Sequence, residues 1–152
     1  MRLALYQPEI PQNAGTLLRL GACLGVGVSI IEPCGFILDD QRLRRAGMDY
    51  IERVNLTRHM SWDIFLKDMQ TNGERLVLLD TKATTSYLDF DFQKNDVLIL
   101  GQESSGVPPE VFSQIPYNVK IPLKEDCRSL NVAIAASMVL GEALRQTNGF
   151  LF

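Results

Sequence analysis

Apolar residues gather into six short runs, at positions 2–6, 28–31, 51–56, 75–80, 97–100 and 119–123, each bounded by turn-forming or charged residues. Runs of this length read as strands, and continuous apolar character suits strands covered on both faces. A different spacing separates them. Pro8 and Pro11 bias the residues before them away from helix. Asn13 is then a good N-cap for a helix over 14–25 that carries Leu17, Leu18, Leu20, Ala22 and Leu24 and ends at Gly25 and Gly27. A short helix is predicted over 39–47, acidic at Asp39 and Asp40, basic at Arg42, Arg44 and Arg45, and stopped by Gly47, a polarity that matches the helix dipole. Ser61 caps a helix over 62–69, where Trp62, Phe65, Leu66 and Met69 recur at helical spacing as a core stripe. A long helix over 132–146 is built largely from small residues. Strands alternating with helices specify an α/β fold, a mostly parallel sheet flanked by helices. No internal repeat, low-complexity tract or linker breaks the chain, so residues 1–152 are expected to form one domain.

Composition narrows the class. The 152 residues are 46% hydrophobic and 22% charged, which suits a globular chain with one sizeable core. Nothing approaches the roughly 18 consecutive apolar residues of a membrane span, and the N-terminus reaches Glu9 before a signal-peptide core could develop. Cys23, Cys34 and Cys127 lack CxxC spacing and favour a reducing cytoplasm. With His59 the single histidine, no metal-ligand cluster is expected. The net charge of −3 argues against indiscriminate coating of nucleic acid while leaving room for a local basic patch.

Chemistry is expected where strands end, because ligands of open α/β sheets collect beyond the carboxyl ends of the strands. The run at 97–100 breaks into Gly101-Gln102-Glu103-Ser104-Ser105-Gly106, and the run at 119–123 into Lys124-Glu125-Asp126-Cys127-Arg128-Ser129-Leu130-Asn131. Gly101 and Gly106 permit close backbone approach or positive φ, as does any tight strand-to-helix turn. No GxGxxG follows the first strand and no P-loop pattern occurs, so the dinucleotide and nucleoside-triphosphate fingerprints are both missing. Glu103 could receive a ligand's donor or cap a helix starting near Val107. Ser129 and Asn131 stand at the entrance of the last helix, where either serves as a cap. Ala133, Ser137 and Gly141 form a small-residue stripe fit for packing under a loop or against a second subunit. Arg19, inside Leu17-Leu18-Arg19-Leu20, must snorkel to water or meet an anion.

Together these pieces resemble a known family. Pro8-Glu9-Ile10-Pro11-Gln12-Asn13-Ala14-Gly15, with Arg19 following, resembles the first motif of the TrmH-like branch of SPOUT RNA methyltransferases. Leu98-Ile99-Leu100-Gly101-Gln102-Glu103-Ser104-Ser105-Gly106-Val107-Pro108 is similar to the second. Ile121-Pro122-Leu123 with Arg128-Ser129-Leu130-Asn131-Val132-Ala133 is similar to the third. Ile31-Glu32-Pro33, Gly35-Phe36 and the segment 39–50 narrow the resemblance to the TrmL type, whose members 2′-O-methylate the wobble ribose, position 34, of leucine tRNAs. Ser105 stands where many relatives carry arginine.

The resemblance implies a SPOUT fold with a deep trefoil knot at the C-terminal end, an exception to the rule that chains do not thread loops. It implies S-adenosylmethionine as methyl donor, released as S-adenosylhomocysteine, no metal, a tRNA substrate, and a homodimer whose active site draws on both chains. By position, Leu79, Gly101, Ile121, Ser129 and Leu130 would line the cofactor pocket, and Asn13, Arg19, Glu103, Ser129 and Asn131 would form the reaction centre. The family proposal makes Arg19 the base, but a guanidinium with a pKa above about 12 is a poor one. Clamping an RNA phosphate is its second candidate role. A basic strip from Arg42, Arg44 and Arg45, with Arg58, is expected to meet RNA. Two rival readings are the same chemistry on ribosomal RNA and a non-catalytic RNA- or nucleotide-binding module. The complete set Asn13, Arg19, Glu103, Ser129 and Asn131 speaks against the module, since a pure binder has no need of it.

Overall fold

The apolar runs pair side by side into one sheet of parallel strands, β1 (Arg2–Tyr6), β2 (Gly27–Ile31), β3 (Leu56–His59), β4 (Arg75–Leu79), β5 (Asp96–Leu100) and β6 (Tyr117–Val119). Their spatial order in the computed structural model, which describes residues 1–39, 41 and 51–151, is β3-β2-β1-β5-β4-β6. Both faces are covered, which is why the central runs show no polar alternation. Leu3, Leu5, Val28, Ile30, Leu98 and Leu100 face one way, onto helices α1 (Pro11–Leu24) and α4 (Val132–Thr147). Ala4, Tyr6, Ile31, Val97 and Ile99 face the other way, onto α2 (Trp62–Thr71) and the short α3 (Pro109–Phe112). Trp62, Phe65 and Met69 are buried in that second layer, with Leu66 packed beside them, so the aromatic stripe is core. Ser61 caps α2 by accepting from the Ile64 N–H at 3.3 Å.

Three boundaries differ from the sequence reading. The helix α1 begins at Pro11 with Ile10 at its N-cap, so Asn13 lies in the first turn and is not the cap. Proline at the start of a helix has its φ preset and lacks an N–H that would go unpaired there, which frees the Asn13 amide for other work. The strand expected over 51–56 is a 3-10 turn, Ile51–Arg53, followed by β3. β3 is an edge strand, paired only with β2, and its Leu-Thr-Arg-His sequence carries too little apolar signal to be read. The last strand is Tyr117–Val119, not 119–123, because its partner β4 ends at Leu79 and offers no ladder beyond Val119. Of the helix expected over 39–47, residue 40 and residues 42–47, with Arg42, Arg44 and Arg45, lie outside the described residues. Among the described residues, no helix is long and apolar enough to cross a membrane.

His59, only 3% exposed, closes β3. Its Nδ1 lies 3.3 Å from the Asp68 carboxylate, its Nε2 3.3 Å from Ser29 Oγ, and its ring meets Phe65 edge-on. Arg2 Nη1 donates to the same Ser29 hydroxyl at 3.2 Å. Burial pushes the His59 pKa below its ordinary value; Asp68 opposes that, and Arg2 reinforces it. The unfolded chain therefore binds a proton that the folded chain refuses. The stability this site contributes is complete above about pH 6.5 and is lost as pH falls through the depressed folded pKa. Melting temperature should fall more steeply below about pH 6.5 in the wild type than in His59→Gln. Parallel pH profiles for the two proteins would refute this assignment.

Candidate functional site

Loops leaving the carboxyl ends of β1, β4, β5 and β6 converge on one cavity of about 620 Å³. It lies beyond the ends of β4, β5 and β6, with Ile10 and Asn13 reaching it from the β1 side, at the carboxyl ends of the strands where open α/β sheets take ligands. Its volume falls in the range of small-molecule sites.

The loop after β5 supplies one wall. Gln102 and Gly106 exchange backbone hydrogen bonds at 2.8 and 2.9 Å, closing a tight turn in which Gly106 adopts φ +69°. That turn brings the Gly106 backbone so close to Gly101 that a Cβ on Gly101 would stand 2.6 Å from the Gly106 Cα. Ser105 Oγ donates to Gln102 Oε1 at 2.9 Å, so the serine at the arginine position of the motif helps to hold the turn.

A reciprocal pair of carboxylates ties this loop to the loop after β1. Glu9 accepts the Ser104 N–H at 2.9 Å and the Ser104 hydroxyl at 2.8 Å. Glu103 accepts the N–H groups of Glu9 at 2.9 Å and Ile10 at 3.3 Å, and Asn13 Nδ2 at 3.3 Å. Asn13 Oδ1 in turn accepts Asn131 Nδ2 at 3.0 Å. Asn131 caps α4, its Oδ1 accepting the N–H groups of Ala133 at 2.8 Å and Ile134 at 3.3 Å. Glu103, Asn13 and Asn131 thus form one hydrogen-bonded chain joining the β5 loop, the start of α1 and the start of α4. Glu103 does not cap a helix at Val107; its oxygens are committed to α1 and the residues before it. A carboxylate holding three donors is itself fixed in place and fixes the segments that donate to it.

Eight residues expected at the site line this cavity: Asn13, Leu79, Gly101, Glu103, Ile121, Ser129, Leu130 and Asn131. Ser129 is exposed, and among the described residues no hydrogen bond engages its hydroxyl. Arg19 is not in the lining. It stands on the exposed side of α1, six residues beyond Asn13, which turns it about 240° around the helix axis. Arg58 is ion-paired with Glu32, and Arg42, Arg44 and Arg45 lie outside the described residues. Three further participants were not singled out from sequence. Glu9 was hidden inside the first motif, and Lys82 and Lys120, which also line the cavity, follow strands without any pattern of their own.

Two other features bound the chemistry. Burial and the neighbouring Glu32 carboxylate push the Cys34 thiol up to about 11, so it stays protonated at neutral pH and is a poor nucleophile. Among the described residues, no group of three or more His, Cys, Asp and Glu side chains is arranged to hold a metal ion.

The parallel sheet, the cavity at the carboxyl ends of its strands and the three loop motifs define an α/β methyltransferase of the SPOUT class, and the chain belongs to the SpoU rRNA Methylase family, whose model matches residues 1–141. The tRNA (cytidine(34)-2′-O)-methyltransferase of Beijerinckia indica is 58% identical over 144 residues, 95% of this chain and 90% of that protein. The structure described as "Structural insights into the 2-OH methylation of C/U34 on tRNA" superposes with a TM-score of 0.90 at 40% identity, covering 97% of this chain and 96% of the other. The SpoU methyltransferase AviRb from Streptomyces viridochromogenes, solved with AdoMet, superposes at 0.87 with 25% identity, covering 96% of this chain and 60% of that one.

Proposed function

We propose that this chain is a tRNA 2′-O-methyltransferase that transfers a methyl group from S-adenosylmethionine to the ribose 2′-hydroxyl of the wobble nucleotide, position 34, of leucine tRNAs. The observation that carries the reading is the convergence of three motif loops on one cavity, with Asn13, Glu103 and Asn131 bonded in series across it. The donor set suits the cofactor. Leu79, Ile121 and Leu130 offer apolar contact for a nucleoside, and the glycines at 101 and 106 keep side chains off the same wall. S-adenosylmethionine, when bound, supplies an electrophilic methyl group on a sulfonium.

Positioning is the main task left to the protein, because transfer needs the 2′-oxygen in line with the carbon–sulfur bond. Glu103, Asn13 and Asn131 set the loops that shape the cavity. In this reading Ser129 accepts a hydrogen bond from the 2′-hydroxyl and relays the proton released on methyl transfer to bulk water, giving up its own hydroxyl proton as it takes the new one. Arg19 clamps an RNA phosphate next to the ribose, since a guanidinium is a poor base at neutral pH. A pH–rate profile separates the roles. A rate flat from neutral to alkaline pH, with RNA binding lost in Arg19→Ala, fits the clamp; a rate that climbs with alkalinity while RNA binding persists fits the base.

A second copy of the chain completes this site. Arg19 does not line the cavity of its own chain, and in this reading the arginine that serves a given cavity comes from a partner. The outer side of α4 suits such a partner: Ile134 is 55% and Met138 40% exposed, and a Cβ on Gly141 would meet nothing within 4 Å. Of the small-residue stripe, Ala133 is buried within the chain, while Ser137 and Gly141 remain on the open side with Ile134 and Met138. Within one domain spanning 1–152, the C-terminal segment threads a loop to form the trefoil knot. Supporting that is the lacing of the β4 and β6 loops, where Lys120 N–H donates to Thr85 O and Tyr87 N–H to Lys120 O, both at 2.9 Å. Cys23, Cys34 and Cys127, all unpaired thiols, fit a cytoplasmic enzyme.

Arg42, Arg44 and Arg45 contact RNA in this reading. The Arg44→Glu/Arg45→Glu variant should weaken tRNA binding and flatten its salt dependence by about two phosphate contacts; unchanged binding removes the strip. The function itself is tested by incubating the protein with labelled S-adenosylmethionine and total tRNA, then mapping the labelled nucleotide. Label on the ribose of position 34 is expected. Label confined to ribosomal RNA in a parallel incubation would favour the other substrate, and no transfer to either would overturn the reading.

A further inference from the structure

Three arginines elsewhere on the described surface are neutralised within the chain: Arg58 by Glu32, Arg75 by Asp96 and Arg145 by Glu142. The mouth of the cavity differs. Lys82 follows β4, Lys120 follows β6, and Arg128 lies in the loop before α4; all three line the cavity. Lys124 is exposed on the same loop as Arg128. Among the described residues, none of these four side chains makes an ion pair or hydrogen bond. Backbone bonds hold the two lysine-bearing loops together: Asp80 N–H donates to Val119 O at 3.0 Å, and Lys120 N–H to Thr85 O at 2.9 Å. The acidic groups nearby are Asp80, Glu125 and Asp126. Asp80 Oδ1 already accepts the Lys82 backbone N–H at 2.9 Å, and Asp126 lies beside the Cys127 thiol.

The opposite side of the mouth, formed by the loops after β1 and β5, carries Glu9 and Glu103, both committed to loop amides. The four cations along β4 and β6 are set among three carboxylates, Asp80, Glu125 and Asp126, whereas the loops after β1 and β5 carry Glu9 and Glu103 and no lysine or arginine, so the positive groups of the mouth all lie on one edge. A polyanion entering such a mouth is drawn to one edge and turned in one direction. Four cations spread over successive loops exceed what a single carboxylate on a cofactor requires. Three of the four are lysines, point charges suited to phosphates of any sequence.

We infer that Lys82, Lys120, Lys124 and Arg128 form a phosphodiester-binding edge that grips the RNA strand on either side of the ribose entering the cavity of the same chain. The inference rests on the proposed RNA methyl transfer and adds to it the side of the cavity along which the strand runs. It is separate from the Arg42, Arg44 and Arg45 strip and does not depend on it.

The test uses the full chain and the Lys82→Gln/Lys124→Gln/Arg128→Gln variant, with tRNA affinity measured across a salt series and S-adenosylmethionine affinity measured in parallel. The slope of log affinity against log salt should become shallower by about two units, near 0.7 for each phosphate that is no longer neutralised, while cofactor affinity stays at the wild-type value. An unchanged slope in a variant that binds tRNA as wild type overturns the inference and leaves the methyltransferase reading standing. A fall in cofactor affinity also overturns it, because the cations would then serve the cofactor or the loop fold. If the wild-type chain binds neither tRNA nor S-adenosylmethionine, the parent reading fails and takes this one with it.

Discussion

Gly101→Ala should fold and yet transfer methyl groups about 100-fold more slowly, the scale of loss expected when a reacting group is displaced by about 1 Å. The added Cβ would stand 2.6 Å from the Cα and carbonyl carbon of Gly106 and 3.0 Å from its oxygen. All three are backbone atoms, and the Gln102–Gly106 hydrogen-bond pair fixes them, so no side-chain rotation relieves the clash. The turn must move, carrying with it Glu103 and the bonds to Glu9, Ile10 and Asn13. Residues 96–100 of β5 stay in the buried sheet, so melting should change little while S-adenosylmethionine affinity drops. Activity and cofactor affinity at wild-type levels would show that the turn does not form the pocket.

Asp96→Ala should give the largest loss of stability. Asp96 is fully buried at the start of β5, where its two oxygens accept Arg75 Nε at 2.5 Å and Nη2 at 2.9 Å. One oxygen also accepts the Gln93 N–H at 2.8 Å. Arg75 is further held by the Asp91 carbonyl and stacks 5.2 Å from the Phe90 ring and 4.9 Å from the Tyr117 ring. Its hydrogen bond to Asp96 raises the guanidinium pKa above its ordinary value; without that partner the guanidinium still stays charged, because its ordinary pKa already lies far above neutrality. Removing one member of a buried pair costs about 3–5 kcal/mol, which for a chain of this length lowers the melting temperature by roughly 10 °C. Asp96→Asn, which keeps one acceptor, should lose less. Because this pair lies at the amino ends of β4 and β5, away from the cavity, cofactor affinity of the folded protein should be unchanged. An alanine variant melting with the wild type would mean that solvent screens the pair.

The elements that could be read from sequence are those whose residues all serve the core. β1, β2, β4 and β5 are apolar on both faces and fall where the runs place them; so do α2, with its Ser61 cap, and α4, with Asn131 at its start. The two edge strands were misplaced because their residues answer to other demands. β3 shows Thr57 and Arg58 to one neighbour only, and β6 begins with the half-exposed Tyr117 and Asn118, while the more apolar Ile121 and Leu123 beyond it line the cavity. The site divides in the same way. Its loops were legible as breaks after apolar runs, and the family resemblance named eight residues that the fold brings to one cavity. The bonds that hold them were not legible, since Ser104 reaches Glu9 across 95 positions and Asn131 reaches Asn13 across 118. Local chemistry even misled at Asn13, a residue type that favours capping but whose amide is used between loops.

Subunit complementation tests the proposed sharing of the site between two chains most directly. Arg19→Ala and Gly101→Ala chains, each expected to be nearly inactive alone, would be unfolded together, refolded at equal amounts and assayed for methyl transfer to tRNA. A mixed dimer would hold one cavity intact in the arginine-deficient chain, served by the arginine of the other. Recovery to about a quarter of wild-type activity is the result predicted for a two-fold dimer in which half of the assemblies are mixed and each has one working site. No recovery, from chains shown to exchange, would place Arg19 and the cavity in the service of the same subunit and contradict the account.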